Sequence, residues 1–119
     1  MRSDIIVPAV SAIRLSPQKN QLTVQFEDGF EALLSAELLR VESPSAEVQG
    51  HGADQKKIIY GKQDVTITAI EPVGHYAVRL IFDDGHDTGI YSWSLFYDYG
   101  KRSDAMMAAY QEAVNTGTF

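Results

Sequence analysis

Apolar and polar side chains alternate in the first half of the chain in the way that is typical of half-buried strands. Residues 22–26, LTVQF, follow this period of two and predict a strand with one face on a core. The Asp28-Gly29 dipeptide then favours a tight hairpin turn, so residues 30–34 are predicted to return as the partner strand. Ser35 is a predicted N-cap for a short helix over residues 36–41.

The second half follows the same plan. Residues 65–71 and 77–82 read as strands separated by a turn at residues 72–75, and Asp84-Gly85 closes a second hairpin. Residues 88–91 are predicted to return as the third strand.

Two helices are expected after this hairpin. Ser92 is predicted to cap a helical turn over residues 93–99 that ends at Gly100, and Ser103 to cap a last helix over residues 104–114. The apolar stripe of that last helix is predicted to consist of Met107, Tyr110 and Val114.

The two halves are related by an offset of 56 residues. Apolar strand positions, the Asp-Gly turn and one helix position recur at this spacing: Leu22, Val24, Phe26, Asp28, Gly29 and Leu39 match Val78, Leu80, Phe82, Asp84, Gly85 and Leu95. The predicted fold class is therefore α+β: a mostly antiparallel β-sheet of two related hairpin-plus-short-helix halves, with a C-terminal helix. We expect one domain over residues 1–119, with its core at about 9–100 and the C-terminal helix at about 103–115.

Composition narrows the class of protein. The chain has no cysteine, which excludes disulfides and thiolate metal sites on this chain and is compatible with a reducing compartment. Its formal net charge is −6 with no run of basic residues, so no nucleic-acid partner is expected. No apolar run reaches the length of a membrane span and no signal peptide is recognisable, so we expect no membrane partner and a cytoplasmic location.

Two polar, Gly-punctuated tracts, residues 38–52 and 82–93, are the candidate functional segments. Both contain a histidine, His51 and His86, and imidazole with a nearby carboxylate such as Asp84 or Asp87 can ligate a divalent metal. The alternative is that each histidine is a turn residue that bonds a nearby carbonyl. No metal-binding spacing such as HxH or HExxH occurs.

The remaining polar residues of these tracts have structural and chemical interpretations. The carboxylates around His86 could serve acid–base chemistry, or could be hairpin residues as Asp28 is. Ser43 and Ser45 lack a nucleophile-elbow motif, and Ser45 is a predicted helix cap. Arg40 could pair with its helix C-terminus or with Glu47 or Asp84.

The motifs LLRVESPSAEVQGHG, IEPVGHYA and FDDGHDTGIYSWSLFYDYG together resemble a known family over about residues 9–100. They are similar to small bacterial proteins of unknown function, the DUF971 family, related to the N-terminal domain of gamma-butyrobetaine hydroxylase. In that family the domain occurs alone, ahead of an Fe(II)/2-oxoglutarate dioxygenase domain, or joined to iron–sulfur-carrier ATPases. The resemblance implies an accessory or docking role. The catalytic iron and 2-oxoglutarate sites belong to the dioxygenase's other domain and do not transfer to this chain.

The resemblance also implies which residues of this chain occupy the positions of a structural zinc site in the family. In the hydroxylase this domain binds zinc through three cysteines and one histidine, and the matching positions here are Ser43, Ser45, Val48 and His86. The three-Cys-one-His site is thus not retained, because serine is a poor zinc ligand and valine is none. We expect hydrogen bonds among Ser43, Ser45, Glu47 and His86 to hold the same space, or His51 and Glu47 to join His86 in a weaker metal site.

The sequence therefore supports three hypotheses. The first is an accessory module that binds a protein partner of unknown identity through a surface of residues on both tracts: Arg40, Ser43, Ser45, Glu47, Gln49, His51, Asp84, His86 and Asp87. The second is a metal-binding or metal-delivery module that uses His51 and His86, linked to iron–sulfur or oxygenase systems. The third, a small enzyme, has no evident nucleophile–base pair in the sequence. No cofactor beyond a weakly bound divalent metal is expected.

Overall fold

The computed structural model describes residues 7–50 and 55–117. In this part of the chain two antiparallel three-stranded sheets, β1-β2-β3 and β4-β5-β6, are joined by two short helices and followed by one long helix. The elements in chain order are β1 Val10–Leu15, β2 Gln21–Phe26, β3 Glu31–Ser35, α1 Ala36–Val41, α2 Ala46–Gln49, β4 Ile67–Val73, β5 Ala77–Phe82, β6 Ile90–Ser92 and α3 Trp93–Thr116. The predicted α+β class is confirmed.

The two Asp-Gly hairpins have the same backbone geometry. Gly29 and Gly85 both adopt φ 91°, a left-handed conformation that glycine reaches without steric cost. In each hairpin the Asp side chain accepts a hydrogen bond from the backbone N–H two residues later, at 2.9 Å for Asp28 and 3.0 Å for Asp84. The sequence repeat therefore corresponds to a structural repeat.

The two halves are interlocked, because a helix of each half holds the hairpin of the other. The Tyr97 hydroxyl in α3 donates to Asp28 Oδ2 at 2.7 Å. Arg40 Nε in α1 donates to Asp84 Oδ2, also at 2.7 Å. Both acceptors are the carboxylates of the repeated Asp-Gly turns, so each turn is fixed by a residue that is distant in sequence.

A single hydrophobic core joins both sheets to α1 and α3. Its fully buried side chains come from the alternating strand positions and from one face of each helix, and the largest are Leu22, Leu34, Leu38, Leu39, Ile67, Leu80, Phe82, Tyr91 and Phe96. Neither half buries its apolar face alone. Each sheet therefore depends on the other for burial of its inner face.

The last helix differs from the prediction. Residues 93–116 form one continuous helix, so the predicted break at Gly100 and the predicted cap at Ser103 are wrong. Gly100 is a packing residue, because a Cβ at this position would lie 2.5 Å from the Ala32 Cβ on β3. The close approach of α3 to β3 therefore requires glycine without ending the helix.

The buried stripe of this helix agrees with the prediction at Tyr110 and differs from it by one residue at the other two positions. Its buried residues are Phe96, Tyr99, Met106, Tyr110 and Ala113, whereas the predicted Met107 and Val114 are only partly buried. The continuous helix sets this register, because the first turns fix the rotation of all later ones. In residues 7–50 and 55–117 no helix is long and apolar enough to cross a membrane.

Candidate functional site

The two Gly-punctuated tracts meet in space, as the sequence predicts. His86 Nε2 lies 2.9 Å from Ser43 Oγ, and His86 Nδ1 lies 3.1 Å from Glu47 Oε1. Two residues further along the chain, the hydroxyls of Thr88 and Ser45 are 2.6 Å apart. We call these five residues, Ser43, Ser45, Glu47, His86 and Thr88, the clamp. It fixes the segment between α1 and α2 to the second hairpin.

Local hydrogen bonds prepare the segment for this contact. Ser45 is the N-cap of α2, as predicted, and its hydroxyl accepts the Glu47 N–H at 3.1 Å. The Ser43 hydroxyl accepts the Ser45 N–H at 3.2 Å, and Gln49 Nε2 donates to the Ser43 carbonyl at 2.8 Å. These bonds orient the side chains of Ser43, Ser45 and Gln49 independently of His86.

An ion-pair cluster lies beside the clamp. Of the predicted partners for Arg40, the structure selects Asp84, which also accepts from Lys62 Nζ at 2.7 Å. Burial alone raises the pKa of Asp84, but Lys62, the His86 N–H and Arg40 outweigh it and hold that pKa well below its usual range. Asp84 is therefore ionised at neutral pH and anchors the hairpin tip to α1.

Burial changes the role of three predicted surface residues. Ser43, Ser45 and His86 are only 0%, 7% and 6% exposed, so in this structure they lie beneath the surface and support it from inside. The Glu47 side chain remains 62% exposed. Asp87 is also exposed, but it points to Arg79 on β5, 3.7 Å away, and makes no part of the clamp. His51, which was also predicted for this surface, lies outside the described residues.

The clamp contains a nucleophile–base pair that the sequence did not reveal. Ser43, His86 and Glu47 are connected in the order of a serine–histidine–acid triad. The pKa of His86 is lowered by burial and by Arg40 against the opposing effect of Glu47, so the imidazole is neutral at pH 7 and can accept the Ser43 proton.

Access distinguishes this arrangement from a hydrolase site. Ser43 is fully buried, and a Cβ on Gly89 would lie 2.6 Å from its hydroxyl oxygen. A substrate carbonyl must come within about 3.5 Å of the nucleophile, which this packing prevents. The geometry therefore supports a structural hydrogen-bond relay in the observed conformation.

The zinc site implied by the family resemblance does not fit these residues. The three thiolate positions hold the hydroxyls of Ser43 and Ser45 and the buried side chain of Val48. The direct 2.9 Å contact between His86 Nε2 and Ser43 Oγ also leaves no room for an ion, since metal–ligand bonds of about 2.0–2.3 Å on each side would separate the two atoms further. Within residues 7–50 and 55–117, no group of three or more His, Cys, Asp or Glu side chains could hold a metal.

A groove beside the clamp segment was not foreseen from the sequence. It has a volume of about 490 Å³ and runs between the α1–α2 segment and α3, lined by Glu42, Pro44, Gln49, Lys56, Tyr99, Arg102, Ala105, Met106 and Ala109. We call it the α2–α3 groove. Residues 102, 105, 106 and 109 have the spacing of one helix face, but this signal became interpretable only when α3 proved continuous.

The groove wall is held by buried polar contacts. The Tyr99 hydroxyl donates to the Glu42 carbonyl at 2.7 Å, which ties α3 to the end of α1. Burial raises the pKa of Tyr99 to about 12, so the hydroxyl stays protonated and remains a donor.

A second groove of about 380 Å³ lies near the C-terminal half of α3 and is lined by Glu37, Tyr60, Gly61, Gln63, Tyr110, Gln111, Val114 and Asn115.

The fold is that of a two-hairpin α+β domain in which the clamp joins the two tracts. The family model described as "Gamma-butyrobetaine hydroxylase-like, N-terminal" matches residues 13–97, so the chain belongs to this family. The resemblance stated from the sequence motifs is thereby confirmed.

Solved structures agree with this assignment. One NMR solution structure is 43% identical, with a TM-score of 0.83 over 98% of this chain and 87% of the other. Another is 41% identical, with a TM-score of 0.78 over 95% and 90%. A crystal structure of a protein of unknown function of the DUF971 family from Acidithiobacillus ferrooxidans is 36% identical, with a TM-score of 0.64 over 76% and 91%. The comparison with curated proteins finds no match.

Proposed function

We propose that the chain is an accessory module that binds a protein partner, and that a segment of the partner lies in the α2–α3 groove. The observation that carries this proposal is the groove of about 490 Å³, one wall of which is the segment held by the clamp. A surface that is already rigid before binding loses less conformational entropy on association. The clamp therefore has a functional consequence although its serines and histidine are buried.

The predicted partner surface is accordingly redefined. Gln49 lines the groove, and the exposed Glu47 precedes it on α2. This segment is supported from the interior by His86 and by the Arg40–Asp84 ion pair. Asp87 instead faces Arg79 on β5. The contact surface we propose therefore consists of the groove lining, with the clamp as its support.

Two further expectations accompany the proposal. The first is a cytoplasmic location, which is compatible with the cysteine-free composition and which fractionation of cells that express the full chain tests. The second is the metal-binding or metal-delivery alternative through His51 and His86, which remains a prediction. Anaerobic titration of the labelled chain with Zn²⁺ and Fe²⁺ tests it by the NMR signals of the imidazoles.

Site-specific photocrosslinking in cells tests groove binding. A photoreactive residue at Ala109, on the groove floor, is compared with the same residue at Gln21, exposed on β2. We expect a discrete protein adduct from position 109 that position 21 does not give. The purified adduct partner should then shift the amide NMR signals of residues 42–50 and 99–109. Equal crosslinking from both positions, no adduct at all, or shifts confined to another face would overturn the proposal.

A further inference from the structure

The second groove, between α1 and the C-terminal half of α3, contains a carboxylate without a partner. We call it the α1–α3 groove. Among the described residues that line it, the only one with a formal charge is Glu37, which is half-buried. In residues 7–50 and 55–117 no hydrogen bond or ion pair reaches the Glu37 side chain. The lining therefore carries a negative charge that no neighbouring cation balances.

Other shielded carboxylates of the described chain do have cationic partners. The side chains of Glu42 and Asp84 are 9% and 17% exposed. Lys56 pairs with Glu42, and Lys62 pairs with Asp84. Lys62 lies between two groove residues in sequence, but its ammonium group is 2.7 Å from the Asp84 carboxylate and is not part of the lining. The two carboxylate oxygens of Glu37 are thus available to a ligand.

Two tyrosines lie beside this carboxylate. Tyr60 is 55% exposed, whereas Tyr110 is only 4% exposed. The Tyr110 hydroxyl donates to the Ile59 carbonyl, which fixes the backbone next to Tyr60 against α3. Burial raises the pKa of the Tyr110 hydroxyl, and the charge of Glu37 raises it further, so the carboxylate lies near this hydroxyl. An accessible aromatic ring and an unpaired carboxylate are therefore combined in one groove.

The rest of the polar lining consists of amides. Gln63, Gln111 and Asn115 each bring a carbonyl oxygen that can accept a hydrogen bond. In the part of the chain that the structure describes, their side chains make no hydrogen bond to protein groups. The groove volume of about 380 Å³ lies within the range of about 300–1,000 Å³ that is common for ligand sites. Such a lining is complementary to a planar cation.

We propose that the α1–α3 groove binds an arginine side chain of a partner protein, with its guanidinium group on the Glu37 carboxylate and against the Tyr60 ring. A guanidinium group donates two parallel hydrogen bonds to a carboxylate and stacks on aromatic rings. Its remaining N–H groups can donate to the amide oxygens of Gln63, Gln111 or Asn115. This site is separate from the α2–α3 groove, so the inference goes beyond the proposed function and does not depend on it.

The test uses three peptides of one length as probes: Ac-Ala-Arg-Ala-NH2 and its analogues with citrulline or lysine in place of arginine. Citrulline keeps the shape of arginine and removes its charge. Each peptide is titrated into the full ¹⁵N-labelled chain. The arginine peptide should shift the amide signals of residues 37, 60–63 and 110–115 and bind about tenfold more tightly than the citrulline peptide, the ratio expected for one charge-assisted contact. The lysine peptide should bind more weakly than the arginine peptide, because an ammonium group lacks the bidentate geometry.

A matched pair of variants tests the carboxylate. Glu37→Gln should weaken binding of the arginine peptide by about tenfold. Glu112→Gln removes the same charge from an exposed residue of α3 that is adjacent to Gln111 but does not line the groove. This control should leave the affinity for the arginine peptide unchanged.

A second pair tests the aromatic ring. Tyr60→Leu should weaken binding of the arginine peptide by about two- to fivefold, the effect of one exposed cation–π contact. Tyr76→Leu is the control, because Tyr76 is 60% exposed in the turn between β4 and β5 and does not line the groove. It should leave the affinity for the arginine peptide unchanged.

Several outcomes would overturn the inference. These are the absence of shifts at the groove residues with millimolar arginine peptide, equal affinity for the arginine and citrulline peptides, and binding of the lysine peptide that is as tight or tighter. Equal losses in Glu37→Gln and Glu112→Gln would also overturn it, since the peptide would then respond only to the net negative charge of the chain. None of these outcomes affects the proposed function, which crosslinking from position 109 in the other groove tests separately.

Discussion

His86 Nε2 and Ser43 Oγ, 43 residues apart in sequence, lie within 2.9 Å of each other in the interior of the protein. The contact joins the second hairpin to the segment between α1 and α2. It forms part of a buried polar network, and networks of this kind contribute stability only when every member is satisfied. Loss of one member should therefore lower the free energy of unfolding.

His86→Ala should destabilise the protein by about 1–3 kcal/mol, because the Ser43 hydroxyl loses its buried acceptor. Urea unfolding followed by the fluorescence of Trp93, the one tryptophan of the sequence, gives the free energy. His75→Ala is the matched control, since this histidine is exposed in a turn, and its effect should stay within about 0.5 kcal/mol. Similar values for both variants would show that the clamp is not a stabilising unit.

The stability of the protein should fall as the pH decreases below the unfolded-state pKa of His86, about 6.5. Burial and Arg40 lower the pKa of the folded-state imidazole, whereas Glu47 and Asp84 oppose this shift. The unfolded chain therefore binds the proton more readily, and the contribution of His86 is fully present above that pH. Unfolding free energies across this range should depend less on pH in His86→Ala than in the unchanged chain.

Ser103→Ala should leave stability unchanged or slightly improved, because Ser103 is inside α3 and alanine has the higher helix propensity. Ser35→Ala is the positive control. Its hydroxyl accepts the Leu38 N–H at 3.0 Å at the start of α1, and loss of such a cap costs about 1 kcal/mol. Thermal unfolding compares the two variants. An equal loss for Ser103→Ala would indicate a helix start at residue 103.

Gly100→Ala should lower stability, although the same exchange inside an exposed helix usually raises it by about 1 kcal/mol. The added methyl group would meet Ala32 on β3, and such overpacking costs about 1–3 kcal/mol. Removal of the opposing methyl group in the double variant Ala32→Gly/Gly100→Ala should reduce the steric part of this loss. A stabilised single variant would contradict the close approach of α3 to β3.

Ser43 should not react with a fluorophosphonate probe in the native protein, in spite of its bonded histidine and carboxylate. Its hydroxyl is fully buried beside Gly89 and Tyr91, so the reagent cannot reach it. Mass spectrometry of the intact chain measures the adduct, with Ser43→Ala as the control. Labelling that disappears in this variant would instead indicate an accessible conformation with a competent nucleophile.

Local sequence signals predicted much of the fold and part of the site. The strands of both hairpins, the two Asp-Gly turns and the caps at Ser35, Ser45 and Ser92 all appear in the structure. The meeting of the two tracts and the hydrogen bonding of His86 were also predicted. These features depend on short-range patterns or on the family motifs, which are present in the sequence itself.

Other features depend on contacts between residues that are far apart in the chain. Glycine often ends a helix, but Gly100 lies inside α3. It is required there because β3 occupies the space that a side chain at this position would need. Packing between distant parts of the chain also buries Ser43, Ser45 and His86, which were predicted for the surface. Their neighbours Glu42, Pro44 and Gln49 line the α2–α3 groove. The sequence alone determined the local elements, through backbone and side-chain preferences. Only the tertiary structure decided which side chains are buried, which residues of the two halves pair, and where the α2–α3 groove lies, since these arise when the two halves pack together.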